Sequence, residues 1–575
     1  MTADTPRVRW PVRLWPGLLI LAGIVIAWTV PQWLAPRTMI HFIALLAAPV
    51  LGAVAAVIWW TFAARVRGLL RWAIPALVFL PLAALTVTLH KGNEFLVTIY
   101  GLTAALVVWL GWLALSMPFS VIIRRNGLIA GLIGLWVVVG MLKMDGVDAD
   151  FIPRLSWQWQ LSDEEQFLAE KPTAAPAPVA DAKLVEAGPG DWPGFRGAKR
   201  DGVVTGVKLD PDWAKHAPEL VWKKRVGPGW GSFAVAGGKL FTQEQRGPDE
   251  AVVCYDAATG DEVWEFKTPA RFKEAISGAG PRATPNIHGK KLYVQGATGK
   301  VHRLDAATGK LDWTADVIAA GGTLPQWGFA ASPFVTDGMV IVYAGGGNGK
   351  GTAGFKADTG ELAWMAGNAK HAYASVHPAD FGGVPQVLVV SDFGLESFRP
   401  ADGTKLWEHA WATEQRSTQP TILSESDVMI GTGVGGNQGV RRLRVTKRGD
   451  AWNVETVWST RASKPYFNDG VAVGGHFYGF DGSRFCCVDL SNGRQMWKET
   501  AYGHGQVLAL ADQGLLLVQA ESGEVALVEA KPDDFSEVAK VPALTEKTWN
   551  HPVVAHGFLY VRNGQEAACY RLPTQ

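Results

Sequence analysis

The nine residues 256–264 (DAATGDEVW) return almost unchanged 49 residues later as residues 305–313 (DAATGKLDW). Weaker copies end at Trp364, Trp407 and Trp497, and degraded copies end at Trp458 and near Val538. A further unit, without a turn, ends at Trp222. These ends lie 39 to 51 residues apart, and self-similarity at such a period predicts a propeller or solenoid.

Each unit carries the pattern of a four-stranded blade. Short β-rich runs such as KLYVQGA precede an alternating strand, a tight turn and another strand. Asp and Gly suit that turn, because Asp bonds the backbone ahead of it and Gly accepts a positive φ. The eight unit ends therefore predict an all-β propeller of eight four-stranded blades over residues 191–575.

A tryptophan closes seven of these units. A large apolar ring with one N–H can pack between adjacent blades while it donates to a neighbouring backbone carbonyl. We therefore expect a structural, blade-docking role for Trp222, Trp264, Trp313, Trp364, Trp407, Trp458 and Trp497. The repeat unit that ends at Trp222 lacks inner strands, and the C-terminal unit lacks an outer strand. We therefore expect these two parts of the chain to form the last blade together and to close the ring.

Residues 1–145 contain five apolar runs, each long enough or nearly so to cross a bilayer; they are about 14–34, 39–62, 69–89, 95–117 and 127–142. Eight basic residues flank one side of these runs and three flank the other. The eight are Arg7, Arg9, Arg13, Arg65, Arg67, Arg71, Arg124 and Arg125, and the three are Arg37, Lys91 and Lys143. This bias predicts an inner-membrane protein with a cytoplasmic N-terminus and a periplasmic repeat region.

Ionisable groups are absent from the middle of the five runs, although an ion or substrate path normally leaves one there. The predicted α-helical transmembrane domain is therefore an anchor in the lipid bilayer. His41 and His90 lie near its non-cytoplasmic ends, where contact with a quinone headgroup is an alternative to the favoured interfacial role. Residues 146–190 become polar and Ala/Pro-rich, which predicts a periplasmic linker.

Charge and cysteine content exclude other classes of protein. A net charge of +1 gives no reason to expect nucleic acid as a partner. Four cysteines are too few for a disulfide framework, and Cys254 and Cys569 lie in strand-like runs. Cys486 and Cys487 are adjacent in a predicted strand, so their side chains point to opposite faces; this favours a structural role and leaves their oxidation open.

The DAATGxxxW motif resembles the tryptophan-docking repeat of quinoprotein alcohol dehydrogenase-like (PQQ-like) propellers over residues 191–575. That superfamily holds PQQ-dependent dehydrogenases and the non-enzymatic outer-membrane assembly factor BamB. Five N-terminal spans before a periplasmic propeller are also similar to membrane-bound glucose dehydrogenase, which passes electrons to ubiquinone. The segment DWPGFRGAKRDG at residues 191–202 resembles the entry sequence of many bacterial PQQ-like propeller proteins.

Resemblance to the dehydrogenases implies PQQ with Ca²⁺ as cofactor, but the sequence departs from their pattern. Their propellers carry long inter-blade loops, whereas the units here follow one another closely. No oxygen-ligand cluster of the Asp-x-Asn-x-Asp kind is present, and Asp392, Asp469 and Asp481 are more simply turn residues. We therefore carry over no catalytic residue and predict no metal ligands.

Candidate ligand-binding residues lie where the inner strands are predicted to begin, because the inner strands line the central funnel. They are Arg282, Trp327, Tyr373, Arg416, Asn468, His504 and Trp549. Cations and aromatic rings around one axis suit a planar anion such as PQQ, with Arg282 as a carboxylate clamp and Trp327 as a stacking ring. The competing and favoured explanation is that polar residues face a water-filled channel.

Two functions are compatible with this pattern. The favoured one is a membrane-anchored periplasmic propeller that binds or scaffolds envelope proteins through its loops and blade strands. The alternative is a PQQ-dependent membrane dehydrogenase that oxidises a sugar or alcohol and reduces ubiquinone. Compact blades and missing ligand signatures favour the first, while the five-span anchor and the aromatic-basic funnel favour the second.

Overall fold

The computed structural model describes residues 12–34, 39–66, 68–88, 93–147, 152–171, 185–274, 276–433 and 438–574. The chain divides into two compact units. The first comprises residues 1–162 and 274–278, and the second comprises residues 163–273 and 279–575. Helices dominate the first unit and β-sheets dominate the second.

Five apolar helices form most of the first unit, as predicted. They are α1 (Leu14–Leu34), α2 (Met39–Ile58), α3 (Leu70–Thr88), α4 (Leu102–Leu115) and α5 (Val121–Met141), with π-helical turns at Trp59–Ala63 and Leu96–Gly101. Each corresponds to a helical segment long and apolar enough to cross a membrane. His41 lies in α2 and is buried, whereas His90 lies outside the described residues. A hairpin of β1 (Leu142–Val147) and β2 (Pro153–Trp157) follows α5.

The second unit begins with α6 (Asp163–Glu170), which falls within the predicted linker and packs on the propeller. Phe167 is buried beneath the Arg246 guanidinium, 5.2 Å from its ring centre. Glu164 accepts two 2.8 Å hydrogen bonds from Arg271. This short helix is therefore part of the propeller's own packing, while residues 172–184 of the linker lie outside the described residues.

Eight sheets form the propeller and confirm the predicted fold class. Before them in the chain come β3 (Val203–Val204), which adds parallel to β31, and β4 (Glu219–Arg225). Blade 1 comprises β5 (Ala234–Ala236), β6 (Lys239–Arg246), β7 (Asp249–Asp256) and β8 (Glu262–Pro269), and the small pair β9 (Lys273–Glu274) and β10 (Gly278–Ala279) follows it. Blade 2 comprises β11 (Asn286–His288), β12 (Lys291–Gln295), β13 (Lys300–Asp305) and β14 (Leu311–Asp316). Blade 3 comprises β15 (Phe334–Thr336), β16 (Met339–Tyr343), β17 (Thr352–Lys356) and β18 (Leu362–Ala366), and blade 4 comprises β19 (His377–Phe381), β20 (Val384–Val390), β21 (Gly394–Phe398) and β22 (Lys405–Ala410).

Blades 5 to 8 continue the same antiparallel order from the inner to the outer strand. They are β23 (Thr421–Ile422), β24 (Asp427–Gly431), β25 (Val440–Arg448) and β26 (Ala451–Thr460); β27 (Val471–Val473), β28 (His476–Asp481), β29 (Arg484–Asp489) and β30 (Gln495–Glu499); β31 (Gln506–Leu510), β32 (Leu515–Gln519), β33 (Glu524–Glu529) and β34 (Glu537–Pro542); and β35 (Val553–Ala555), β36 (Phe558–Arg562) and β37 (Glu566–Arg571), completed by β4.

The predicted closure of the ring is confirmed in blade 8. There β4, from the N-terminal side of the propeller, pairs antiparallel with β37 from the C-terminus, with Trp222 opposite Cys569. Pairing the two ends of the repeat gives every blade at least four strands, and β3 adds a fifth strand to the sheet of blade 7.

The tryptophan at the end of each unit lies between blades. Six of the seven indole N–H groups donate to a backbone carbonyl in the turn before the next outer strand, for example Trp264 to Ala306 at 3.2 Å and Trp364 to Pro400 at 3.1 Å. Trp407 differs and donates to the Gln386 side chain of its own blade. The reason is local: blade 5, which follows, lacks the Thr-Gly turn.

All four cysteines are free and buried. Cys487 packs in the cluster with Tyr478 and Trp497, whereas Cys486 packs in a different cluster with Val440 and Phe477. Burial raises the pKa of both thiols to about 12. The two side chains therefore lie on opposite faces of β29 and behave as small apolar residues.

Candidate functional site

All seven candidate binding residues lie on one face of the wheel. Each precedes the inner strand of its blade, and the blades repeat around one axis, so the segments meet at the same mouth of the central funnel. The geometry separates them into an aromatic group, an arginine at the rim and residues whose polar atoms already bind the fold.

Aromatic rings from blades 6, 7, 8 and 1 form a cluster at this mouth. The Trp549 ring lies 5.2 Å from Trp230 and 5.0 Å from Phe467, and Phe467 stacks on His504 at 5.5 Å. The Lys547 ammonium lies 4.2 Å from the Trp549 ring centre, which is a favourable cation–π distance. Trp230, Phe467 and Trp549 are each partly exposed, so this aromatic cluster presents surface to solvent.

Glu521 fixes two members of the aromatic cluster. Its carboxylate accepts the Trp549 indole N–H at 2.8 Å and the His504 backbone N–H at 2.9 Å. The indole nitrogen of Trp549 is thereby used within the fold, and the ring face is the part that remains for recognition.

Trp327 and Tyr373 form a second aromatic pair, between blades 3 and 4. Their ring centres are 5.0 Å apart with an interplanar angle of 31°, and the Tyr373 hydroxyl accepts from the Trp327 backbone N–H at 3.4 Å. The predicted stacking ring therefore already has an aromatic neighbour within the protein.

Arg282, the predicted carboxylate clamp, lies at the rim between blades 1 and 2. Its guanidinium donates to the Gly280 carbonyl at 2.7 Å and lies 4.7 Å from the Phe272 ring. Nearby Glu250 is buried and accepts from the Ala297 N–H at 3.1 Å. Burial raises the pKa of Glu250 to about 7, although the hydrogen bond from the Ala297 N–H and the charge of Arg282 both oppose the increase.

Arg416 is fully buried and its guanidinium is used by the fold. It donates to the carbonyl oxygens of Gly431 at 2.9 Å, Ser391 at 2.5 Å and Trp411 at 2.5 Å. Burial lowers its pKa to about 9. With each guanidinium nitrogen bonded to a backbone carbonyl, this side chain cross-links blades rather than offering donors to a ligand.

Asn468 belongs to a series of amides that bridge successive blades. Its side-chain amide donates to Gly505 at 2.6 Å, Gln506 donates to Trp549 at 3.0 Å, and Asn550 donates to Gly231 at 2.8 Å. Each acceptor is a backbone carbonyl in the next blade around the ring. These amides tie blades 6, 7, 8 and 1 together at the base of the mouth.

The segment with the DWPGFRGAKRDG sequence occupies the axis of the wheel. We call residues 192–202 the axial segment. Trp192 pairs with Val235 of blade 1, Pro193 accepts from Ile287 of blade 2, and Gly202 accepts from Ala509 of blade 7. A segment of eleven residues reaches blades on all sides only where the inner strands converge, so it lies at the centre.

Two buried arginines anchor the axial segment. Arg196 donates to the Gly470 carbonyl of blade 6 at 2.7 Å. Arg200 donates to carbonyl oxygens of Ser332 and Pro333 in blade 3 and to Val376 before blade 4, the last at 2.8 Å. Both arginines have positive φ, 60° and 58°, a strained backbone for a non-glycine residue that persists only where the surroundings fix it.

An acid and a histidine complete the axial core beside Arg196. The Asp469 carboxylate lies 3.9 Å from Arg196 and 3.4 Å from the His551 ring. Burial alone would raise the pKa of Asp469, but Arg196 and His551 outweigh it and the pKa is lowered. The His551 ring also meets Phe195 of the axial segment edge-to-face at 5.0 Å.

Hydroxyl groups link the inner ends of blades 1 to 4 around this core. Ser232 N–H donates to Thr284 Oγ1 at 2.8 Å, Thr284 N–H to Ser332 Oγ at 2.9 Å, and Ser332 N–H to Ser375 Oγ at 2.8 Å. These buried hydroxyls are therefore structural links between blades.

Sequence reasoning missed Arg196 and Arg200, the residues most deeply involved in the centre. The available signal was the unrepeated segment itself, in which two arginines alternate with glycines immediately before the first strand of the propeller. The repeated blades of a closed propeller leave one interior space, which is the central axis. An unrepeated segment that becomes buried in such a fold therefore lies along that axis.

The residues present do not provide a PQQ and Ca²⁺ site of the expected kind. Arg416, Asn468, Arg196 and Arg200 direct their donors at backbone carbonyls. Within the described residues, no group of three or more His, Cys, Asp or Glu side chains is placed to hold a metal ion. Asp469 binds Gln419 N–H and faces Arg196, so a cation would meet a guanidinium beside it.

Comparisons with known proteins place the propeller in a family. A family model described as outer membrane protein assembly factor BamB matches residues 214–324, 277–499 and 391–574. BamB of Shewanella oneidensis is 25% identical over 312 residues, 49% of this chain and 71% of that protein. Quinohemoprotein alcohol dehydrogenase ADH IIB of Pseudomonas putida is 31% identical over 119 residues, which span only 17% of the enzyme.

Solved structures of proteins of both kinds align with part of this chain. Quinohemoprotein alcohol dehydrogenase from Comamonas testosteroni aligns with a TM-score of 0.49 at 11% identity, over 69% of this chain and 82% of the enzyme. BamB from Moraxella catarrhalis aligns with a TM-score of 0.44 at 12% identity, over 62% of this chain and 100% of that protein.

Proposed function

Because the chain belongs to the propeller family described as outer membrane protein assembly factor BamB, we propose that it is a membrane-anchored binding or scaffolding module of the cell envelope. The five apolar helices hold the chain in the inner membrane, and the positive-inside bias of the sequence directs the propeller to the periplasm. The partners are envelope proteins that dock on the loops or outer strands of the blades.

The observation that carries this proposal is the filled axis. The axial segment occupies the place where the inner strands converge, and its arginines bind carbonyls of blades 3 and 6 and of the segment entering blade 4. A centre built from such contacts stabilises a rigid wheel. Recognition is then left to the partly exposed aromatic cluster and to the periphery of the blades.

A PQQ-dependent membrane dehydrogenase is the second candidate. It is supported by the 31% identical segment shared with a quinohemoprotein alcohol dehydrogenase and by the partly exposed aromatic rings at the mouth. When bound, PQQ would supply a two-electron acceptor. The donors that this chain would need to hold its carboxylates are engaged elsewhere, so we derive no reaction step from it.

Two measurements on the full-length protein separate the candidates. Purified protein in detergent is mixed with PQQ and Ca²⁺, and cofactor absorption and dye reduction with sugars and alcohols are recorded. In cells, a photoreactive residue replaces Trp230 in the aromatic cluster or Val457 on the periphery. We expect no cofactor uptake and cross-links to envelope proteins from at least one site. PQQ uptake with turnover, and no cross-link from either site, would overturn the scaffold.

A further inference from the structure

Blade 5 has an outer edge unlike that of any other blade. In all eight blades a β-bulge lies in the outer strand directly before the position that holds the blade-docking tryptophan in seven of them. Examples are the bulges at Asp312 in blade 2 and at Val457 in blade 5. A bulge kinks the strand and disturbs its free row of backbone groups, so it protects an edge against pairing with another chain.

The length of strand before the bulge differs between blades. Seven outer strands have only one or two residues there, such as Leu311 in β14 or Glu219 and Leu220 in β4. In β26 six residues, 451–456, pair regularly with Leu443–Arg448 before the bulge at Val457. Blade 5 has lost the tight Thr-Gly turn that shortens the others. We call residues 451–456 the blade-5 edge.

The register shows which backbone groups of the blade-5 edge point outward. A two-residue loop, Gly449 and Asp450, closes the hairpin with Arg448 opposite Ala451, and Gly449 has the positive φ of 60° that such loops use. Antiparallel pairs alternate between hydrogen-bonded and non-hydrogen-bonded. The backbone N–H and C=O groups of Trp452, Val454 and Thr456 therefore face away from β25.

The blade-5 edge is held rigid from its other side. Trp452 and Val454 pack against the core cluster of blades 4 and 5, which includes Phe381 and Trp407. At the base of the hairpin, Asp427 accepts from Arg442 at 2.6 Å and from Arg444 at 2.9 Å. The edge is therefore ordered before any partner arrives, which reduces the entropic cost of binding.

Its composition suits strand pairing. The blade-5 edge reads AWNVET, with one charged residue and neither proline nor glycine, whereas natural edges are usually protected by charges or proline. The whole hairpin, residues 440–460, carries five basic residues against two acidic ones, and with Asp427, which pairs with Arg442 and Arg444, the local net charge is five minus three, or +2. In a chain of net charge +1 this is a local excess that attracts acidic segments.

We propose that the blade-5 edge binds an extended, acidic segment of a partner protein as a fifth strand of blade 5. The main chain of the partner would bond Trp452, Val454 and Thr456, and its acidic side chains would lie near the basic hairpin. The proposal names the docking surface of the scaffold proposed above and rests on that function.

The test uses the full-length protein and a synthetic strand as probe. A labelled ten-residue peptide alternates glutamate with valine or threonine, and a matched peptide carries lysine in place of glutamate. Fluorescence anisotropy measures binding, and hydrogen exchange measures the backbone amides of β26. We expect saturable binding of the acidic peptide, slower exchange confined to β26, and binding of the lysine peptide weakened at least about tenfold.

One pair of variants isolates the backbone. Thr456→Pro removes an outward N–H that makes no bond within the blade, while Thr456→Val keeps that N–H and the branched shape. We expect Thr456→Pro to weaken peptide binding about tenfold and Thr456→Val to leave it unchanged. Equal thermal unfolding temperatures of the two variants would show that Thr456→Pro folds.

Should Thr456→Pro prove less stable, Arg448→Glu replaces it as the test. Arg448 is exposed at the end of β25, and the substitution should weaken acidic-peptide binding and strengthen lysine-peptide binding. No binding, protection outside β26, or equal binding to both peptides would overturn the proposal. Cross-links to envelope proteins from Trp230 alone would then preserve the scaffold and reject this docking surface.

Discussion

The seams between blades and the axis of the wheel are built by different means. At six seams the same indole N–H bonds the same kind of backbone carbonyl in the next blade. At the axis, the single unrepeated segment uses Arg196 and Arg200 to reach several blades at once. The comparison shows that repetition supplies the ring, while one unique segment determines what the ring can hold at its centre.

The largest expected loss of stability is at the axis. Arg200→Ala removes a buried guanidinium and leaves the carbonyls of Ser332, Pro333 and Val376 without their donor. We expect the free energy of unfolding to fall by about 3 to 5 kcal/mol. Thermal or urea unfolding of the full-length protein measures it. Lys199→Ala, at an exposed neighbouring position, is the control and should change stability by less than about 0.5 kcal/mol.

A substitution at a seam between blades should lower the free energy of unfolding slightly less than one at the axis. Trp364→Ala creates a cavity between blades 3 and 4 and removes the bond to Pro400, for an expected loss of about 3 kcal/mol. Trp364→Phe keeps most of the packing and removes only the N–H, so it should cost about 1 kcal/mol. If Trp364→Ala cost more than Arg200→Ala in the same assay, the ranking of axis over seam would be wrong.

Glu250, at the rim of the funnel mouth, should make the free energy of unfolding depend on pH. Burial raises the pKa of Glu250 to about 7 from its ordinary 4.5, so the folded state binds its proton more tightly than the unfolded chain. That contribution is complete below pH 4.5 and is lost as the pH rises through 7. Glu250→Gln should therefore stabilise the protein by about 2 kcal/mol at pH 8 and change little at pH 4.5. An equal effect at both pH values would contradict this assignment.

Two glycines separate packing at a seam from backbone conformation alone. Gly309 has φ +72°, and an added Cβ would lie 2.5 Å from the Trp264 ring; Gly289 has φ +57° with no atom within 4 Å. Gly289→Ala should cost about 1 kcal/mol for the left-handed backbone. Gly309→Ala should cost about 1 kcal/mol more because the indole must move. Coinciding unfolding curves for the two variants would show that packing against the Trp264 ring adds nothing to the cost of Gly309→Ala.

The smallest expected effect concerns the adjacent cysteines. Cys486 and Cys487 are free and lie in separate clusters, so a reductant should leave the unfolding temperature unchanged. A shift on adding dithiothreitol, together with a mass two units lower in the oxidised protein, would instead show a vicinal disulfide.

The sequence predicts the ring well because its blades repeat. The phase of the tryptophans predicts eight blades and the pairing of β4 with β37, and the apolar runs predict five helices. It predicts the centre poorly. Arg416 and Asn468 lie just before the inner strands of their blades, but they bind backbone carbonyls that come near them only in the folded ring. Neither the role of Arg200 nor the length of the blade-5 edge follows from a periodic pattern.

Hydrogen exchange of the axial segment tests the filled axis most directly. The backbone amides of Trp192, Arg200 and Gly202 are bonded within the fold, and these three residues are buried, whereas Ala198 and Lys199 are exposed. In the full-length protein we expect the amides of Trp192, Arg200 and Gly202 to exchange as slowly as those of the inner strand β31, and Arg200→Ala to accelerate the exchange of Trp192 and Gly202. Exchange of these three amides as fast as that of an exposed loop, with β31 still protected, would contradict a centre filled by the protein's own chain.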